Sequence, residues 1–233
     1  LFAYIEKELI EVENLLPAAK TSIYGRVDKS AAQALLARMY LNAKTYIGTE
    51  KNTEAATYAK KVIDAGYALT PKYHELFQAD NHTKTGEIIW AINCDGLKTQ
   101  GYGNTTFLAH AAAGDDYPDF GVNSGWAGYR ATKGLSSKFF SGNTTTTNDK
   151  RALFTTSKFR IDPVENEIDD VSNFANGVHV KKWTNNYTSG AKGNDITGNF
   201  VDTDFPIFRL SEMYLIYTEA VLRGGTGDRN LAL

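Results

Sequence analysis

Apolar residues recur at helical spacing near both ends of this 233-residue chain and lose that spacing across the long stretch between them. The strongest run places Ala32, Leu35, Leu36, Met39, Tyr40 and Ala43 at i, i+3, i+4, i+7, i+8 and i+11, behind Asp28 or Ser30 as N-cap. Such spacing lines one stripe of a helix, and its alanines leave room for a second helix to come close. That partner is predicted after Asn52 or Thr53, with Ala55, Ala59, Val62 and Ile63 on one face and Gly66 as its stop, so the two form a hairpin across Gly48. Upstream, Ile5, Leu9, Val12 and Leu16 mark an amphipathic helix closed by Pro17. Downstream, Leu210, Met213, Tyr214, Tyr217 and Val221 mark another from Arg209 to Arg223, ended by Gly224 and Gly225, and Asp228 caps the start of a partner.

Between the helical ends the chemistry changes. Residues 94–208 hold 13 of the 20 glycines and are dense in Asn and Thr, as in Gly142–Asp149 and Asn185–Gly190, which favours turns over helix interiors. Two β-rich runs, Glu87–Asn93 and Val178–Trp183, predict a small sheet. The fold class is therefore mainly α: helical hairpins resembling tetratricopeptide repeats, with a loop-rich, small-sheet region suited to ligand binding. The division reads as a hairpin scaffold over 1–80, a loop-rich region with short strands over 81–208, and the start of a further hairpin over 209–233, all within one domain.

Several functions are set aside. With 25 basic against 27 acidic residues the chain lacks the broad positive surface nucleic acid needs. A lone cysteine, Cys94, permits no intrachain disulfide and no multi-cysteine zinc site, and reads as a small buried hydrophobe. The motifs of serine hydrolases, zinc proteases and P-loop enzymes are absent, and Gly101-x-Gly103 lacks the third glycine of a dinucleotide loop. Glu212 and Glu219, seven apart on one helix, read as solvated or ion-paired rather than as a glycosidase pair. His74, His82, His110 and His179 share no metal-ligand spacing; Asp115, Asp116 and Asp119, like Asp162, Glu165, Glu167, Asp169 and Asp170, lack an EF-hand pattern. The expectation is no catalytic residue, no metal and no cofactor. Opening at Leu1 without signal peptide or lipid-accepting cysteine, and closing on a helix barely begun, the chain is expected to be part of a longer protein.

The aromatics are more informative. Tyr102, Phe107, Tyr117, Phe120, Trp126, Tyr129, Trp183 and Tyr187 lie in the Gly/Asn-rich middle, and an exposed ring beside Asn suits a sugar, whose C–H face stacks while its hydroxyls seek hydrogen bonds. Covering about 100 Å² of ring at roughly 25 cal/mol/Å² contributes about 2.5 kcal/mol, whereas a millimolar site needs about 4.1, so at least two rings are required.

Five blocks carry a resemblance to a family. They are Gly25–Ala43; Ala65–Leu69 with Tyr73–Phe77; Asn81 with Glu87–Ala91; Asn123–Arg130 ahead of a helix over Leu135–Phe139; and Asp204–Ala220. In this order they resemble SusD/RagB-type proteins. The resemblance implies a surface-exposed lipoprotein of the cell outer membrane, anchored by an N-terminal lipid this chain does not include. Such a protein captures an oligo- or polysaccharide without catalysis and delivers it to a TonB-dependent, SusC-like transporter. It implies glycan contacts at Tyr102 and Trp126, extended to Asn104 and Asn123 as hydroxyl partners, with Trp183 and Tyr187 in reserve. Peptide capture, as in RagB-like import, and a generic helical-repeat interaction domain are the alternatives.

Overall fold

The computed structural model describes residues 1–84, 86–140, 147–155 and 167–233; residues 142–146 of the Asn/Thr run, Asp162 and Glu165 lie outside them. In chain order the helices are α1 (Phe2–Glu13), α2 (Lys29–Leu41), α3 (Ala43–Ile47), α4 (Asn52–Ile63), α5 (Asn104–Ala112), α6 (Lys133–Ser136), α7 (Leu210–Leu222) and α8 (Arg229–Ala232). The strands are β1 (Ile88–Ile92), β2 (Arg130–Ala131), β3 (Val178–His179) and β4 (Phe205–Arg209). The chain divides into two compact units, Leu1–Leu69 with Thr85–Ile92 and Pro206–Leu233, and Thr70–Lys84 with Asn93–Phe205. These boundaries differ from a division at 80 and 208, because β1 belongs with the helices and 70–84 with the loops.

In the first unit α2, α4 and α7 pack together. Asp28 is the cap of α2: its carboxylate accepts from Ala31 N at 3.1 Å, from Lys20 N at 2.7 Å and from the Tyr67 hydroxyl at 3.2 Å. Ala34 and Ala37 of α2 share a solvent-free core with Ala55, Ala56 and Ala59 of α4, small side chains that let the helices approach. Leu35, expected on the buried stripe, is instead exposed, and Leu36 takes the core position. The turn between α2 and α4 contains the short α3, closed by Gly48 at φ +73°, a left-handed position that favours glycine. On α1 the inward place expected for Val12 falls to Glu13, held by Gln33 at 2.7 Å and Lys61 at 3.2 Å. α7 buries Leu210, Met213, Ile216, Tyr217, Ala220 and Val221. Beyond it, Asp228 caps α8 through Asn230 N and Leu231 N, and the Tyr217 hydroxyl accepts from Asp228 N at 2.6 Å.

The two β-rich runs enter different sheets. β1 pairs with β4, whose Pro206 conceals it from a strand reading. β3 pairs antiparallel with β2 in the register Arg130 opposite His179 and Ala131 opposite Val178. The second unit has small apolar clusters, one around Ala109, Phe120, Val122 and Val201, another around Ala131, Phe154 and Val178. Buried amides complete it: Asn81 donates to the carbonyls of Leu76 and Asp204, both at 2.9 Å, and accepts from Asp204 N at 3.0 Å. Asn185 accepts from Asp202 N at 2.9 Å. Such side chains satisfy backbone groups where no strand partner is available. α5 lies in a stretch read as loop, and in place of a helix over Leu135–Phe139 there is the one-turn α6, with Phe139 and Phe140 packed on Phe154.

Candidate functional site

Tyr102 and Trp126 come together in the second unit, their ring centroids 6.2 Å apart. Phe200 lies 5.3 Å from Tyr102, Phe107 lies 6.0 Å from Trp126, and the His110 ring stacks on Trp126 at 4.7 Å and 18°. Exposure falls steeply through this cluster, from 62% for Tyr102 and 48% for Phe107 to 1% for His110, so its rings form a surface with a buried footing.

Three short pieces of chain build it. Tyr102 precedes α5, and Phe107 and His110 ride on that helix. Residues 126–129 run along the end of α5, where Trp126, Ala127 and Tyr129 N–H donate to the carbonyls of His110, Ala113 and Ala111, each at 2.8 Å. These bonds fall on carbonyls of the last turn of α5 and its cap, where the helix ladder runs out; that of His110 also accepts from Ala113 N at 3.2 Å. The approach is close enough that a side chain at Gly125 would collide with the carbonyls of Ala113 and Gly114. Phe200 closes the third piece. Its loop is organised by the Asp195 carboxylate, which accepts from Thr197 N (2.9 Å), Thr197 Oγ1 (2.7 Å), Asn199 N (3.1 Å) and Phe200 N (3.0 Å). Burial pushes the Asp195 carboxyl up, but these hydrogen bonds outweigh it and hold it below the usual aspartate value.

The two asparagines flank this surface with part of their capacity already used. Asn123 donates to Thr197 O at 2.9 Å and to Asn199 Oδ1 at 2.7 Å, and its Oδ1 accepts from Ser124 Oγ at 3.2 Å. Asn104, exposed at the first position of α5 with φ +56°, donates to Cys94 Sγ at 3.0 Å. Burial pushes the Cys94 thiol up, which suits a packed sulfur rather than a nucleophile.

The reserve rings stand elsewhere. Trp183 is a packing residue: 8% exposed, stacked on Phe205 at 5.3 Å, with Phe77 edge-on at 4.9 Å. A ring covered in this way has no face for a ligand, which removes Trp183 from the candidate set. Tyr187 is half-buried and donates its hydroxyl to Asp202 at 3.1 Å; burial, then the Asp202 charge, pushes that phenol up. In the first unit Glu212 is clamped by Arg38 through bonds of 2.6 and 2.7 Å, and Glu219 pairs with Arg223. Phe200 and His110 were not legible as site residues. A lone phenylalanine and an isolated histidine carry no motif, although Asp195 two residues before Thr197 is an Asx-turn signal for the loop.

Comparison with known proteins bears on the whole chain. Residues 166–233 match the model of the SusD family. The starch-binding protein SusD of Bacteroides thetaiotaomicron is 32% identical over a 272-residue alignment covering 99% of this chain and 49% of that protein, so the chain spans about half the length of this curated relative. Among solved structures, surface glycan-binding protein A of Bacteroides fluxus superposes with a TM-score of 0.71 at 17% identity, covering 99% of this chain and 49% of that one. The B. thetaiotaomicron protein of the same name, in complex with laminarihexaose, gives 0.65 at 20% identity, covering 97% and 52%. At those identities the structural likeness is one of fold. Together with the match to SusD and to the family model over residues 166–233, it makes the chain similar to SusD-family proteins along its length.

Proposed function

We propose that the ring surface of Tyr102, Trp126, Phe107 and Phe200, with Asn104 and Asn123 beside it, captures an oligo- or polysaccharide for import. The single observation that carries this reading is Tyr102, left 62% exposed while packed against both Trp126 and Phe200. An open group of rings is costly to leave in water unless a ligand covers it. Two rings at about 2.5 kcal/mol each exceed the roughly 4.1 kcal/mol of a millimolar site, and the Oδ1 atoms of both asparagines remain able to accept from sugar hydroxyls. The names of the relatives favour sugar over peptide: one binds starch and another was solved with laminarihexaose. An exposed platform also counts against a bare interaction repeat.

The role proposed is binding, and the carboxylate pair weighed for glycoside hydrolysis, Glu212 and Glu219, is held by Arg38 and Arg223. Delivery is to a SusC-like, TonB-dependent transporter of the outer membrane, with the protein held at the cell surface by a lipid. Among the described residues no helix is long and apolar enough to cross a membrane. The test is native electrophoresis through gels containing starch, laminarin or xyloglucan. Retardation by at least one supports the reading, and unaltered mobility in all three and in a wider glycan panel refutes it.

A further inference from the structure

The asparagines placed beside the rings offer a ligand acceptors more than donors. Asn123 spends both Nδ2 protons, one on Thr197 O at 2.9 Å and one on Asn199 Oδ1 at 2.7 Å, and Asn104 spends one on Cys94 Sγ. A sugar hydroxyl both gives and takes a hydrogen bond, so a surface that reads hydroxyls is completed by a donor. The amides that follow from Thr197 supply one. A backbone carbonyl only accepts, so the end of the Asn123 amide that faces Thr197 O is Nδ2. Its neighbour Asn199 must then present Oδ1 to it. Turning both amides over would press Asn123 Oδ1 against the Thr197 carbonyl at 2.9 Å, acceptor against acceptor. The Ser124 hydroxyl, 3.2 Å from Asn123 Oδ1, serves either orientation, and so the Thr197 carbonyl decides.

With Oδ1 turned to Asn123, the Asn199 Nδ2 group is left over. Among the described residues it has no hydrogen-bond partner, and it is not shut away from water, since Asn199 is half-buried beside the exposed Asn123. The backbone that carries it is fixed on both sides. Asn199 N donates to the Asp195 carboxylate at 3.1 Å, and the Asn199 carbonyl lies 2.9 Å from Nε2 of His110, the ring beneath Trp126. Phe200 of the ring surface is the next residue in the chain. We propose that Asn199 is a ligand-binding residue, whose Nδ2 donates to a hydroxyl or ring oxygen of the sugar that covers the rings. Asn123 holds the Asn199 amide in that orientation and keeps its own Oδ1 for a hydroxyl proton. A donor fixed in advance on both its backbone and its amide loses little freedom when the ligand arrives.

This assignment rests on the capture reading, and the test keeps the two apart. Asn199→Asp has nearly the shape of the native side chain and still accepts from Asn123 Nδ2, but it has no proton to give. Wild type and variant are titrated calorimetrically with oligosaccharides of starch, laminarin and xyloglucan, after urea unfolding has shown both to be folded. The variant should bind about tenfold more weakly or worse. An affinity within about twofold of wild type overturns the assignment and leaves capture standing. If none of the three, nor a wider glycan panel, binds the wild type, capture is refuted and the assignment falls with it. A second measurement needs no variant: the side-chain amide signals of the wild type are followed by ¹H–¹⁵N NMR. In the free protein the Asn123 protons should exchange slowly with water and the Asn199 protons fast, and a bound oligosaccharide should slow the Asn199 pair. Asn199 protons that are protected in the free protein, or that exchange equally fast with the ligand bound, overturn the assignment even where the variant does not fold.

Discussion

Replacing Asp195 by alanine should loosen the surface without touching a ring. The carboxylate accepts four hydrogen bonds, three from backbone N–H groups of its own loop and one from the Thr197 hydroxyl. A hydrogen bond to a charged acceptor contributes about 1.5 kcal/mol or more when its donor is otherwise stranded. Here the released donors sit on a surface loop and find water, so roughly 0.5 kcal/mol apiece is the better figure, about 2 kcal/mol in all. Phe200 would then no longer be held beside Tyr102, and loss of one ring worth about 2.5 kcal/mol would weaken binding by up to about fiftyfold. The assay is urea unfolding together with retardation in a glycan gel. Because the Asp195 carboxyl is held below its ordinary value, its contribution is present above the unfolded aspartate value, about pH 3.9, and is lost as pH falls through the lower folded value. The stability gap between wild type and D195A should accordingly close in acid. A gap under about 0.5 kcal/mol at neutral pH, with unchanged retardation, would refute the reasoning.

Two further substitutions separate scaffold from surface. Asp28→Ala removes the α2 cap, worth about 1 kcal/mol, and two more hydrogen bonds to a buried carboxylate, so unfolding should be easier by about 3 kcal/mol in urea. Tyr67 is pushed up to about 12, by burial first and with the Asp28 charge adding, so the same variant should ionise Tyr67 at lower pH in an ultraviolet titration. Trp183→Ala, cutting a buried ring from Phe205 and Phe77, should cost about 3–5 kcal/mol in thermal or urea unfolding. It should leave glycan retardation unchanged wherever the protein remains folded.

The helical unit was readable because its signals are local. The spacing of Ala32, Leu36, Tyr40 and Ala43, the caps Asp28 and Asp228 and the stops near Gly48 and Gly224 all act within a few residues, and each stands where its chemistry places it. Periodicity misplaced one residue in each of two helices: on α1 Val12 is exposed while Glu13 turns inward, which Gln33 and Lys61 make tolerable, and on α2 Leu35 is exposed beside the buried Leu36. The loop-rich unit was less legible since its order is non-local. α5 begins after two glycines and carries two β-branched threonines, which mask its helical character, while Asn185 and Asn81 act on carbonyls distant in sequence. Composition could mark the middle aromatics as a group, yet only tertiary packing separates the open Tyr102 from the covered Trp183.

The most direct measurement on the central claim compares wild type, Tyr102→Ala and Trp126→Ala by isothermal titration with the oligosaccharide of whichever glycan retards the protein, after circular dichroism has established that all three are folded. Each ring contributes about 2.5 kcal/mol, so either truncation should weaken binding by about fiftyfold or more. Affinities within about twofold of wild type for both folded variants would contradict a glycan surface built on these rings.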